Sequence, residues 1–290
     1  MISSTFNYLV AGIAVLGSTA HGAELTQVTD FGDNPTNVEM YIYVPDNLAP
    51  NPALIVAMHY CQGTAEAYFS QTAYPGLADE KGFIVIYPDA PDPGQCWDVH
   101  TQETLTHDAG GDSLGIASMV RYAIEEYSVN STQVSMAGGS SGAMMTQVMA
   151  GAYPDLFAAG AAYSGVPYGC FEGDGLWNNA CADGQLIKSA EEWGAQVLEG
   201  YPDYDGPRPR LQIWHGTADT TLSYQNFIES NKQWSNVFGI ENTKNNTDTP
   251  SAGITEMIFG DGTQYVAYSA EGVGHGVPDN PDTVMAWFGL

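Results

Sequence analysis

Along this chain, short runs of consecutive apolar and β-branched residues alternate with longer stretches whose apolar positions recur every three or four residues. Compact apolar runs without polar alternation mark strands covered on both faces, and the longer period marks helices that bury one stripe. The pattern predicts strands over Val38–Val44, Ala53–His59, Phe83–Tyr87, Gln133–Ala137, Ala158–Tyr163, Leu211–Trp214 and Tyr265–Tyr268. Helices are predicted over Ser113–Tyr127, Ser141–Ala152, Ala190–Leu198, Tyr224–Phe238 and Asp282–Phe288, with Asp112 as the N-cap of the first. Strands and helices in alternation define an α/β protein with a mostly parallel central sheet and helices on both faces. The Asn- and Thr-rich stretch Glu241–Ser251 reads as a surface loop, and no internal repeat divides the chain.

The N-terminus breaks this rhythm. An apolar stretch from Tyr8 to Leu16 leads into small residues at Ser18, Thr19, Ala20 and Gly22. It is too short for a membrane span and reads as a signal peptide over residues 1–22, cleaved after Ala20 or Gly22. It carries no basic residue; the first is Lys81. Residues 23–290 then form one catalytic domain, exported to the extracellular space. In that compartment the four cysteines pair as two disulfides in one of three arrangements, of which Cys61–Cys96 with Cys170–Cys181 is favoured. Zinc is the rival use of these cysteines, but no C-x-x-C or histidine pairing accompanies them. Asn130 and Asn245 sit in N-x-[ST] sequons and are candidate glycosylation sites.

Charge narrows the partners. Seven Lys and Arg face 34 Asp and Glu, for a formal net charge of −27. Such a surface repels phosphate backbones and anionic membranes, which excludes nucleic acid and lipid as partners but not a neutral polysaccharide. No metal or organic cofactor is called for, and the chain is expected to act as a monomer.

The chemistry is concentrated in a few residues. Gly138-Gly139-Ser140-Ser141-Gly142 matches G-x-S-x-G, between the strand-like QVSMA and the helical AMMTQVMAGAY. That context suits a serine exposed on a tight turn at the top of a sheet. The same pattern recurs at Gly111-Asp112-Ser113-Leu114-Gly115, but after THDAG rather than a strand, so these residues are read as the start of a helix. A serine nucleophile needs a base, and the base an orienting carboxylate, in the order Ser, Asp, His for this architecture. Of six histidines only His275 lies late, in the glycine-rich EGVGHGVP after a strand. Asp219 follows the strand RLQIWH in an H-G-x-x-D turn, where the carboxyl ends of strands gather ligands; His215 is read as pinning that turn. The oxyanion donors are assigned to the backbone amides of Ser141 and Cys61.

Taken together, the blocks VTDFGDNPTNVEMYIYVP, HYCQGTA, GFIVIYP, CWDV, SSGAMMT, YPDLFAAGAAYSGVPYGC, WHGTAD and GVGHGVP resemble the fungal acetyl xylan esterases of carbohydrate esterase family 1. The related feruloyl esterases and polyhydroxybutyrate-depolymerase-like esterases share the resemblance, which runs from about Leu25 to Leu290. It implies an α/β-hydrolase fold, a Ser140–His275–Asp219 triad, an oxyanion hole at Cys61 and Ser141, and removal of O-acetyl groups from xylan. Tyr60, Trp97, Tyr163, Tyr168 and Trp177 flank the motif blocks as candidates to stack on sugar rings, the alternative for each being a place in the core. Trp177 is assigned to narrow the acyl pocket so that acetate fits and ferulate does not. A feruloyl esterase is the rival within the class. A non-catalytic wall-binding protein is the rival outside it.

Overall fold

The computed structural model describes residues 23–290, so the signal peptide expected over residues 1–22 lies outside the described residues. Ten strands run in chain order: β1 Thr26–Val28, β2 Glu39–Tyr43, β3 Leu54–Met58, β4 Ile84–Asp89, β5 Val134–Gly139, β6 Ala159–Tyr163, β7 Arg210–Gly216, β8 Asn242–Thr247, β9 Ile254–Phe259 and β10 Tyr265–Ala270. They join one sheet in the order β1-β2-β4-β3-β5-β6-β7-β10-β9-β8. The six strands from β4 to β10 across the middle are parallel, and antiparallel strands flank them on both sides.

Each middle strand is apolar on both sides because both sides are covered. Leu54, Val56 and Met58 of β3 point into one core, against the helices Gly111–Tyr127 and Ser141–Ala152, while Ile55 and Ala57 point into the other. That second core is closed by the helices Ala65–Gln71, Tyr74–Lys81 and Pro281–Phe288. This is the α/β-hydrolase arrangement, with all the described strands in a single sheet.

Connectivity decides where chemistry sits. The chain leaves β3 for β4 on one side, through helices on one face, then crosses to β5 on the other side through a helix on the opposite face. The strand order therefore reverses at β3, and the carboxyl ends of β3 and β5 open onto a crevice that no crossover fills.

The seven expected strands are all present, with individual ends shortened by one residue or extended by one or two, and the five expected helices match closely. Three corrections follow from the edges and termini. The stretch expected as a loop at Glu241–Ser251 contains β8, an exposed polar edge strand held by its ladder to β9 rather than by burial. The strands β1 and β9 and the short helices Ala65–Gln71 and Tyr74–Lys81 went unforeseen. Asp112 is not a cap: its helix begins at Gly111 after a Gly110 N-cap, and no side chain caps it.

Candidate active site

The turn after β5 is shaped by close approach. Gly142 in the first turn of the following helix lies so near the end of β3 that a Cβ there would meet the Met58 carbonyl at 2.1 Å and that of His59 at 2.7 Å. Only glycine allows this contact, which packs the nucleophile turn against the loop leaving β3. Ser140 itself holds φ 54° and ψ −119°, a strained conformation for a residue with a side chain. Its amide donates to the Tyr163 carbonyl of β6 at 2.8 Å, which fixes the turn to the neighbouring strand.

A second close approach brings the other two residues together. A Cβ at Gly216, the last residue of β7, would sit 2.2 Å from the Val273 carbonyl. The loops after β7 and β10 are laced there by Thr217 N–H to Ala270 O, Ala218 N–H to Val273 O and Gly272 N–H to Thr217 Oγ1. One loop carries Asp219 and the other His275. Across 56 and 135 residues of sequence, His275 Nδ1 comes within 2.8 Å of Asp219 Oδ2, and Ser140 Oγ within 2.8 Å of His275 Nε2. The three residues read from sequence as a triad thus form one hydrogen-bonded chain.

Asp219 is held by more than His275. Its side chain is buried, which alone would push its acidity down, yet its carboxyl sits well below the ordinary range. Hydrogen bonds from His215 and His275 and from the amides of Leu222 and Thr221 outweigh the burial. His215 is buried with its Nε2–H between Leu222 O at 2.9 Å and Asp219 Oδ2 at 3.1 Å, so it does pin the turn that presents the carboxylate.

The loop after β3 is equally fixed. His59, fully buried, accepts the Ala90 amide at Nε2 and so must carry its proton on Nδ1, which donates to Tyr60 O at 2.7 Å. Disulfides join Cys61 to Cys96 and Cys170 to Cys181, the favoured pairing. Neither the Cys61 nor the Ser141 amide is bonded to a protein acceptor among the described residues, which leaves both able to donate to a ligand.

Ser140 and His275 open into a cleft of about 310 Å³ lined also by Tyr60, Tyr68, Gln71, Thr72, Tyr163, Val277 and Asp279. Of the five aromatics offered as sugar platforms, Tyr60 and Tyr163 are there. Tyr163 stacks in register beside Trp214 and Tyr268 across β6, β7 and β10, a row of rings of which Tyr163 is the member that lines the cleft. The other three are corrected. Tyr168 is buried in the opposite core, its hydroxyl on the Leu105 carbonyl. Trp97 is 1% exposed and faces the protein. Trp177 is 48% exposed on the Cys170–Cys181 loop, edge-on to Phe171, and does not line this cleft, so it cannot narrow an acyl pocket. Tyr68, Gln71 and Thr72 were missed because the helix Ala65–Gln71, with Thr72 as its C-cap, was; Thr64, whose hydroxyl accepts Ala67 N–H as an N-cap, was the available signal.

A buried carboxylate, an imidazole and a hydroxyl on a strained strand-to-helix turn, under an α/β-hydrolase sheet, define a serine-type carboxylic ester hydrolase. The family model for "Esterase PHB depolymerase" matches residues 38–174. Feruloyl esterase B of Talaromyces stipitatus is 50% identical over 97% of this chain and 80% of its own length. A probable acetylxylan esterase A of Aspergillus clavatus is 51% identical over 97% and 95%. The solved acetyl xylan esterase from Aspergillus awamori superposes with a TM-score of 0.89 at 50% identity, covering 92% of this chain and 99% of that one. The chain belongs to this family of fungal acetylxylan and feruloyl esterases, and it is an enzyme rather than a non-catalytic binding protein.

Proposed function

We propose that this chain removes O-acetyl groups from xylan through an acyl-enzyme intermediate, with Ser140 as nucleophile, His275 as general base and acid, and Asp219 as its orienting carboxylate. The observation that carries the reading is the unbroken chain of hydrogen bonds from Ser140 Oγ through His275 to Asp219, open to a cleft of about 310 Å³. His275 takes the Ser140 proton as Oγ attacks the ester carbonyl. The amides of Cys61 and Ser141 receive the oxyanion, a contribution of about 3–4 kcal/mol for each well-placed donor. His275 then protonates the departing sugar oxygen to give the free hydroxyl; water, deprotonated by His275, attacks the acetyl-enzyme, and Ser140 Oγ leaves with that proton as acetate is released. Asp219, held ionised by four donors, stabilises the imidazolium at both steps.

The tyrosines at 60, 68 and 163 supply flat apolar faces, and Gln71, Thr72 and Asp279 supply hydrogen-bond partners for ring hydroxyls. With a net charge of −27 the enzyme favours a neutral polysaccharide over a polyanion and works without a nucleic acid, membrane or metal partner, as a monomer. Two disulfides support an extracellular location for a domain of residues 23–290 that follows a cleaved leader. Exposed Asn245 on β8 and half-buried Asn130 are the proposed glycan acceptors.

Feruloyl ester cleavage is the second reading, favoured by the aromatic walls of the cleft and by the name of the Talaromyces relative. Turnover of acetylated xylan against methyl ferulate decides between them. Acetate release with the higher kcat/KM is expected. Preference for methyl ferulate would make the chain a feruloyl esterase.

A further inference from the structure

Trp97 was read from sequence as a sugar platform, but its surroundings describe a different task. It is one of the most deeply buried side chains in the protein, at 1% exposed. Its indole Nε1–H donates to the His59 carbonyl at 2.8 Å, and its backbone N–H donates to Ser141 Oγ at 2.8 Å. One residue therefore grips both sides of the crevice: the loop that carries the Cys61 amide and the helix start that carries the Ser141 amide.

The segment around Trp97 is itself anchored. Cys96 is joined to Cys61 by a disulfide, and Gln62 N–H donates to Gly94 O at 3.0 Å, so the two loops run bound together. On the far side Asp98 N–H donates to Asp112 Oδ2 at 2.9 Å, which fixes the segment to the long helix Gly111–Tyr127. The Trp97 ring lies 5.0 Å from that of His59, whose Nδ1 proton fixes the Tyr60 carbonyl immediately before Cys61. The β3 loop is thus tied to this segment at Cys61, Gln62 and His59 O, and the segment is tied to the nucleophile turn through the hydroxyl of Ser141.

We infer that Trp97 is a positioning residue, setting the separation of the two oxyanion donors through its paired hydrogen bonds to His59 O and Ser141 Oγ. This rests on the assignment of the Cys61 and Ser141 amides in the function proposed above. An oxyanion hole accelerates a reaction only if its donors are already placed where the charge develops, because reorganisation during the reaction would consume the gain. The two donors lie on separate loops, one after β3 and one after β5, that meet at Gly142, and the Trp97 hydrogen bonds add a polar brace to that contact. The small side chain at 141 leaves room for a backbone amide to reach its hydroxyl, and that amide is Trp97's.

The test compares Trp97→Phe, which keeps a ring but removes the indole N–H, with Ser141→Ala, which removes the acceptor for the backbone N–H. Both are assayed on p-nitrophenyl acetate, with thermal unfolding and a pH–rate profile. Trp193→Phe serves as the structural control, since Trp193 is equally buried and spends its indole N–H on Glu229, away from the site. Each test variant is expected to lose about tenfold to a hundredfold in kcat, with KM within about twofold and the pH profile unmoved, as for a small misplacement of catalytic groups. The double variant should lose less than the product of the two single effects, because both cut one brace. Trp193→Phe should lower the unfolding temperature while the folded enzyme keeps its kcat.

A Trp97→Phe enzyme with kcat unchanged would overturn the inference. A raised KM at unchanged kcat would also overturn it and return Trp97 to substrate contact. If Trp97→Phe does not fold, Ser141→Ala decides alone by the same criteria. Ser140→Ala separates this claim from the one beneath it. If that variant still turns over, the site assignment fails and the brace with it; if it is inactive while Trp97→Phe is unaffected, only the brace fails.

Discussion

Two segments of this chain spell the same five-residue pattern, Gly111–Gly115 and Gly138–Gly142, and the fold puts them to opposite uses. Ser113 is fully buried in the first turn of a helix, its hydroxyl donating to the Thr104 carbonyl at 2.7 Å and its amide to Thr104 Oγ1 at 3.2 Å. Ser140 stands on a strained turn with its hydroxyl on His275 and its face to the cleft. The difference lies in what precedes each segment. The strand β5 delivers Ser140 to the carboxyl end of the sheet beside the strand-order reversal, whereas Ser113 follows a turn that tucks it under the helix Gln102–Leu105. A glycine-flanked serine carries no chemistry until a sheet aims it.

The sharpest way to break this contrast is to remove each hydroxyl in turn. Ser140→Ala is expected to lower kcat about 10⁴- to 10⁶-fold with the fold intact. Ser113→Ala should leave kcat nearly unchanged and cost about 1–3 kcal/mol of stability, because a buried carbonyl loses its donor. Ester turnover and thermal unfolding of the two purified variants check both; an inactive but well-folded Ser113→Ala would erase the distinction. Next in size is Asp219→Asn. An amide NH2 in place of Oδ2 faces the His215 Nε2–H and favours the wrong imidazole tautomer at His275, and a loss of about 10⁴-fold in kcat is expected with KM little changed. Steady-state kinetics on a small acetyl ester measure it.

What could be read in advance follows the same logic of context. The six parallel strands declared themselves because strands covered on both faces must be apolar throughout, as LIVAM and IVIY are. The hydrogen-bonded trio proposed as the triad was legible because motif, chain order and strand context all agreed at Ser140, Asp219 and His275. The edge strand β8, NTKNNT, left no such mark, since exposed residues held by ladder hydrogen bonds need no hydrophobic pattern. The cleft walls were hidden for a different reason. Tyr68 and Asp279 meet only through tertiary packing more than 200 residues apart, and nothing local to either announces the other. Aromatic rings were the least legible of all. Trp97, Tyr163 and Trp177 look alike in sequence; burial sets Trp177 apart, and only tertiary contacts distinguish buried Trp97, bonded to His59 and Ser141, from buried Tyr163 on the cleft wall.

Asp112 gives the comparison its finest test, because it belongs to the inert segment yet reaches toward the active one. Its carboxylate is buried and accepts the Asp98 amide, one residue from Trp97. Burial pushes its pKa up from 3.8 to about 6, partly opposed by that hydrogen bond. An acid whose pKa is raised by folding binds its proton more tightly folded than unfolded, so stability falls as pH rises from about 4 to about 6 and the deficit persists above that range. A shift of that size corresponds to about 3 kcal/mol at most. Asp112→Asn keeps an acceptor for the Asp98 amide and removes the charge. Relative to the parent, the variant should therefore gain stability at pH 7 and lose that gain as pH falls to 4. Chemical denaturation of both proteins at pH 4, 5, 6 and 7 measures the difference, with kcat at pH 7 expected to stay within about twofold. A stability difference independent of pH would mean that folding leaves the pKa of Asp112 unshifted, while a large fall in kcat would show that the Asp112 charge, and not merely its acceptor, helps hold the Trp97 segment in place.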